Sequence, residues 1–212
     1  GHFMIAKKGW LVLRAAGRGD NNADYYSRGS LVFNIVTVFD STEQYAKVDG
    51  EQTDSERDGG IMRVDALGES GTDIAHRGQI KAFRQGKNYT YSAADLTRAY
   101  WSGKTSEVTR QYLYLRGERD YFIIFDRIDA KSAALHKHWF LHLPSEPSVS
   151  GPETELVAGH VYSSQQPGVI TWLSDPAGYD SYVRSTGRSR AFLKTVLPSG
   201  ATLVRRGGSG YE

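Results

Sequence analysis

A chain of 212 residues with 26 lysines and arginines against 24 aspartates and glutamates has a formal net charge of only +2, which gives no electrostatic case for nucleic acid or a membrane surface as partner. With no cysteine, a disulfide framework and thiolate metal sites are excluded, while the compartment stays open. No apolar run reaches the roughly eighteen residues of a membrane-spanning helix, and the opening Gly1-His2-Phe3-Met4-Ile5-Ala6 lacks the apolar core and cleavage site of a signal peptide. The 23 glycines and 13 tyrosines suit many short strands joined by tight turns, so little helix is expected. The length suffices for one large core, and a single domain over residues 1–212 is the expectation.

In chain order, Phe3 to Arg14 reads as a hairpin, with Phe3 and Ile5 on one strand, Trp10 to Leu13 on the other, and the turn at Lys7-Lys8-Gly9. Ala15 to Asp24 is a glycine- and asparagine-rich loop. Leu31 to Phe39 is the most β-prone run, dense in branched and aromatic residues around Asn34. The chain then turns polar from Asp40 to Ile80, and Gly50 to Gly60 predicts a long exposed excursion.

Strand signals resume at Gln79–Phe83 and Tyr89–Ala93 about a turn at Gln85-Gly86-Lys87, and Ala94 to Tyr100 fits either one helical turn or irregular backbone. Glu107 to Pro144 predicts three antiparallel strands. The first two form a hairpin through Tyr112–Leu115 and Tyr121–Phe125 with its turn at Gly117 to Asp120. The third, Leu135 to Leu143, carries Trp139, Phe140 and Leu141 and is expected inside a sheet covered by another layer. Beyond the Pro- and Ser-rich link Ser145 to Pro152, short strands are predicted near Leu156-Val157, His160–Tyr162, Val169–Leu173, Ala191–Leu197 and Thr202–Val204. Strands at this spacing without an amphipathic helix between them predict an all-β fold, a large antiparallel β-sandwich.

The segments in order resemble the C-terminal β-sandwich region of the heparinase II/III-like polysaccharide lyases. The resemblance is carried by Lys8-Gly9-Trp10-Leu11-Val12-Leu13, Asp24-Tyr25-Tyr26-Ser27-Arg28, Phe33-Asn34, Asp58-Gly59-Gly60 and Gly78 to Phe83. It continues through Tyr89-Thr90-Tyr91, Asp95 to Tyr100, Asp120 to Arg127, Trp139 to His142 and Gly207 to Tyr211, so it covers nearly the whole chain. It implies a supersandwich-like module that faces an N-terminal helical toroid across a cleft for uronate-containing acidic polysaccharide, in a secreted or periplasmic protein. Cleavage there is a β-elimination: the uronate carboxylate is neutralised, a tyrosine or histidine removes the C5 proton, and an acid protonates the leaving oxygen. Members with zinc in the sandwich carry an aspartate and a histidine where this chain has Arg14 and Phe33, neither of which is a zinc ligand, so no cofactor is expected.

Tyr25 and Tyr26 are the candidate proton-transfer residues, and Arg28 beside them is a candidate grip for carboxylate or sulfate; the plain alternative is a tyrosine pair packed half-buried. Arg14 and Arg18 form a basic rim for an acidic polymer or merely solvate a loop. Asn34 is a buried amide in a hydrogen-bond network or a cleft residue, and His2 lies near the cleft or at a frayed end. His136, His138 and His142 share strand parity, as zinc ligands on one strand face do, but no further ligand is spaced to complete the shell. Asn88-Tyr89-Thr90 matches a glycosylation sequon. The rival to a lyase module is a non-catalytic carbohydrate-binding or structural sandwich.

Overall fold

Among the described residues, runs in which apolar and polar residues alternate form strands. The computed structural model describes residues 1–14, 30–42, 59–60, 78–174 and 188–208. Its strands are β1 (Ile5–Ala6), β2 (Trp10–Val12), β3 (Val36–Val38), β4 (Gln79–Gln85), β5 (Tyr89–Asp95), β6 (Thr105–Leu115) and β7 (Tyr121–Ala130), followed by β8 (Lys137–Trp139), β9 (Ser148–Val149), β10 (Thr154–Val157), β11 (Val161–Ser164), β12 (Ile170–Leu173), β13 (Arg190–Leu193) and β14 (Leu203–Arg206). Every pairing between these strands is antiparallel, and among the described residues no helix reaches seven residues. The fold is all-β, as the alternation predicts.

The chain falls into two compact units, Gly1–His2 with Arg18–Phe140, and Phe3–Gly17 with Leu141–Glu212. The first unit is built on a four-stranded sheet in the order β4-β5-β6-β7. Both of its expected hairpins are present, with turns at Gly86 and at Gly117 to Asp120. Residues opposite one another on the ladder share a face, so Ala94, Arg110 and Asp126 lie on one side, and Tyr91, Leu113 and Ile123 on the other. The core of this unit gathers on the first face, where Leu96, Ala99, Tyr100 and Val108 pack together with Ala94 and Ile128. Thr97–Ala99 is one 3-10 turn, which resolves the open choice at Ala94 to Tyr100.

Three expected strands take other forms, one of them Ala191 to Leu197, which is a strand only as far as Leu193. Within Leu31 to Phe39 only Val36–Val38 is a strand, and Ser30–Val32 is a 3-10 turn. The backbone groups between them are satisfied elsewhere: Phe33 N–H donates to Ser30 O, Asn34 N–H to His2 Nδ1, and Asn34 O accepts from Arg110. With its single backbone N–H given to His2, Asn34 has no donor left for a ladder. The run Leu135 to Leu143 contributes only β8, which pairs with β3 rather than with β7, and Trp139 remains 39% exposed. Its indole finds a polar partner instead of a covering layer, since Nε1 donates to Asp126 Oδ2 at 3.0 Å.

Lys104, immediately before β6, is fully buried. Its Nζ donates to Gly59 O at 2.9 Å and Gly60 O at 3.2 Å, and it stands 5.5 Å from the centre of the Tyr100 ring. Gly59 has φ of +79°, and a Cβ there would lie 2.9 Å from the Phe39 backbone nitrogen, so only glycine brings its carbonyl in so close. The same carbonyl accepts Val38 N–H at 2.8 Å, so Lys104 braces β3 from outside its ladder.

In the second unit the β1-β2 hairpin turns at Lys7-Lys8-Gly9 as expected, with positive φ at Lys8 (53°) and Gly9 (112°). The remaining strands form two three-stranded sheets, β10-β11-β14 and β13-β12-β9. The hairpin is tied to β12: Trp172, buried, donates from Nε1 to Leu11 O at 2.6 Å, and Ser174 Oγ donates to Lys8 O at 3.1 Å. Strand β9 falls in the link Ser145 to Pro152, where composition predicts only a connection.

Replacing Lys104 by methionine leaves two inward carbonyls without a donor, and the native chain is expected to exceed this variant in stability by about 1–3 kcal/mol, read from urea unfolding; equal midpoints would show that the ammonium contributes nothing. Asp95 Oδ1 accepts Thr97 N–H at 3.0 Å, and that bond, then the Thr97 hydroxyl, holds its carboxyl below the ordinary aspartate pKa. A lowered folded pKa stabilises above the unfolded value and is lost as pH falls through the folded one. Asp95→Ala is therefore expected to cost about 1 kcal/mol at neutral pH and progressively less in acid, with a pH-independent difference arguing against the carboxylate's role.

Candidate functional site

Two groups of polar side chains stand out, one in each unit. In the first, Arg110 is only 2% exposed. Its Nε and Nη2 donate to the two oxygens of Asp126 at 2.6 and 2.7 Å, and its Nη1 donates to Asn34 O at 2.6 Å and to Gly1 O. Tyr112 OH donates to Gly1 O at 2.7 Å, and Trp139 Nε1 closes on Asp126 from the other side. The pairing has a simple cause in the register, because Arg110 and Asp126 are directly opposite across β6 and β7. Burial works against the Arg110 charge, but the hydrogen bonds and charge of Asp126 outweigh it and raise its pKa above the ordinary arginine value. Burial also raises the Tyr112 phenol, with Arg110 pulling the other way. A guanidinium so engaged is a structural tie, with little left to offer a ligand.

Two of the sequence candidates belong to this group. Asn34 is fully buried. His2 accepts Asn34 N–H at Nδ1 over 3.0 Å, which places the ring proton on Nε2, and it meets the Phe33 ring edge-on at 5.1 Å between centroids. It is held in place by these contacts rather than frayed. Arg14 is half-buried, just after β2. Tyr25, Tyr26, Arg18 and Arg28 lie outside the described residues.

At the positions where the resemblance puts zinc ligands stand Arg14 and Phe33, and neither side chain has a lone pair to give a metal, so no chemistry is assigned to zinc. Among the described residues no group of three or more His, Asp or Glu side chains is placed to share a metal ion. The shared parity of His136, His138 and His142 does not survive folding. Only His138 lies in β8, and His142 is bridged to Leu13 instead.

The second group lies on the β13-β12-β9 sheet. Ile170 and Trp172 are buried on its inner face, so the alternate residues Thr171 and Leu173, with their ladder partners Phe192, Arg190 and Ser148, form the outer face. This face floors an open groove of about 680 Å³ whose lining also includes Ser145, Glu146 and Arg188. Arg188, Arg190 and Phe192 share one parity, which sets neighbouring side chains about 7 Å apart along one edge. Among the described residues neither guanidinium has a carboxylate or other hydrogen-bond partner, and the Phe192 ring is 67% exposed. The lining carboxylate does not cancel them, because Glu146 Oε1 accepts from Arg205 Nη1 at 3.0 Å. The hydroxyls fix the floor, with Ser145 Oγ donating to Leu173 O at 3.0 Å and Ser148 Oγ to Thr171 O at 3.4 Å.

Two uncompensated guanidiniums beside an exposed aromatic ring can hold carboxylate or sulfate in a bidentate grip while the ring stacks on an apolar face of the same ligand. Nothing in the chain's composition announced this site. The available signal was the x-Arg-x-Arg-x-Phe alternation leading into the predicted strand at Ala191, which puts all three side chains on one face. No model of a known protein family matches the chain, and no curated protein matches it.

The two kinds of arginine separate by experiment. Asp126→Ala leaves the buried Arg110 charge unpaired and is expected to lower stability by about 3–5 kcal/mol, whereas Arg190→Ala is expected to change it by less than about 0.5 kcal/mol. Urea unfolding of both variants checks this, and a large loss in Arg190→Ala would make that residue structural.

Proposed function

We propose that this chain is the β-sandwich module of a polysaccharide-lyase-like protein and forms one wall of a cleft for uronate-containing acidic polysaccharide. The observation that carries the reading is the pair of uncompensated guanidiniums, Arg188 and Arg190, set beside the exposed Phe192 along the groove of the second unit. Such a surface suits a polymer that offers repeated carboxylates and, between them, the apolar faces of sugar rings. The ordered likeness of the chain's segments to the heparinase II/III-like sandwich supports the same ligand class independently of the groove. On this reading the helical toroid is a partner region of the same protein. Tyr25 or Tyr26 is the candidate to take the proton in such a β-elimination, and Arg28, Arg14 and Arg18 are candidate contacts for the acidic polymer.

A second reading, a carbohydrate-binding module without catalysis, is favoured by one feature of the groove. Its described lining holds guanidiniums, a phenyl ring, hydroxyls and an ion-paired carboxylate, but no imidazole or phenol to move a proton. The groove therefore binds, and cleavage needs groups from elsewhere.

Calorimetric titration with a uronate oligosaccharide tests the binding. Arg188→Ala and Arg190→Ala are each expected to weaken it about tenfold or more, with the loss shrinking at high salt, while Arg119→Ala in the β6-β7 turn binds as the native chain does. Equal affinity of all three variants would sink the groove as the site. Activity on uronate polymers, followed by ultraviolet absorbance of the unsaturated product with the polypeptide preceding Gly1 included, separates the readings: a rise abolished by Tyr25→Phe or Tyr26→Phe supports the lyase, and no rise with any acidic polymer supports the binding module.

A further inference from the structure

The face of the β4-β5-β6-β7 sheet that turns away from the Leu96 core divides into two halves. In one, the charges are already matched, with Arg127 Nε 3.3 Å from Glu107 Oε2 and Lys81 Nζ 3.6 Å from Asp95 Oδ2. The other is apolar. Its cross-ladder rows are Tyr89–Leu115–Tyr121 and Tyr91–Leu113–Ile123, and Phe125 follows opposite Gln111. Tyr121 is 58% exposed, Ile123 49%, Phe125 46% and Tyr89 41%, so large rings and a branched aliphatic chain stand in water on a contiguous patch. Tyr91 is oriented by its hydroxyl, which donates to Gln111 Oε1 at 2.8 Å.

We propose that this apolar half-face is the contact surface of a homodimer, packing on the same patch of a second copy of the chain. Charge permits a like partner. The patch is uncharged except for Arg84, opposite Tyr91 on the edge strand β4, and with that exposed guanidinium and the matched ion pairs left in water at the rim, two identical patches meet without burying a charge. Shape argues the same way, because sheet faces whose side chains stand in alternating rows interdigitate about 10 Å apart. Area sets the strength. The four most exposed side chains offer on the order of 100 Å² each, and with the partly exposed Tyr91, Leu113 and Leu115 the pair of copies removes about 1,000 Å² from water, the lower bound for a specific interface. The dimer is accordingly weak and concentration-dependent, with aromatic residues at its centre as interfaces prefer. It is independent of the groove and of the ligand proposed for it.

Sedimentation velocity on the full 212-residue chain over a wide concentration series tests this. The native chain is expected to pass from monomer to dimer with a Kd of about micromolar order. Ile123→Asp and, separately, Tyr121→Lys are expected to weaken association at least tenfold with unchanged melting temperature, while Val196→Asp, an exposed apolar position in the other unit, associates as the native chain does. A native chain that stays monomeric at every concentration overturns the proposal. So does association that persists unchanged in both patch variants. A lowered melting temperature with no change in association would mean that the patch is covered by the chain itself, which also overturns it.

Discussion

The first unit depends on one buried guanidinium. Arg110 gathers a carboxylate from β7, the carbonyl of Asn34 and the carbonyl of Gly1, and these belong to segments that no ladder joins to one another. A guanidinium can do this because its donors are fixed in a plane and point outward in several directions, so one residue ties several strands of chain at defined angles. The cost of burying the charge is met by the carboxylate directly across the ladder, and the geometry is bidentate, the arrangement in which such a pair is most strongly held. Because Arg110 takes the carbonyl of Asn34 and His2 its N–H, the segment before Val36 is withdrawn from sheet formation. The Arg110 tie thus decides where β3 begins.

The contrast between Arg110 and the pair Arg188 and Arg190 shows how the same residue type serves two ends. Arg110 sits opposite an aspartate, under cover, with acceptors around it. Arg188 and Arg190 stand on the outer face of a small sheet whose inner face is anchored by Trp172, and their nearest lining carboxylate is engaged by Arg205. The second unit therefore keeps two positive charges available without destabilising itself, since both remain in water. The hairpin at Lys7 to Gly9 shapes this indirectly. Its carbonyls at Lys7 and Lys8 accept the hydroxyls of Ser189 and Ser174, and so hold the ends of β13 and β12 together where Arg188 and Arg190 emerge.

Much of the fold was legible because local patterns were left undisturbed by tertiary demands. Gly86, the turn at Gly117 to Asp120 and the Lys8-Gly9 turn fall where turn chemistry predicts, and the strands beside them follow period-two alternation. Prediction failed where a distant partner intervened. Leu31 to Phe39 has every β-forming property, yet half of it yields its backbone groups to His2 and Arg110. Leu135 to Leu143 looks like a buried strand because Trp139 and Phe140 are large, but the Trp139 indole is satisfied by Asp126 and the strand shrinks to β8. The candidate site was harder still. Tyr25, Tyr26 and Arg28 drew attention through a sequence likeness, whereas Arg188, Arg190 and Phe192 acquire meaning only when the carboxylates nearby are seen to be occupied.

By itself the sequence determined that this chain would be an antiparallel all-β protein with its main hairpins where they are, because strand periodicity and turn residues act over a few neighbouring positions and need no knowledge of the rest. Tertiary structure alone decided which arginine is buried and which is free, which apolar face is covered and which stands in water, and where a β-prone run stops being a strand. Those outcomes depend on partners many tens of residues away, and a guanidinium or a phenyl ring carries no local mark of whether its partner will arrive.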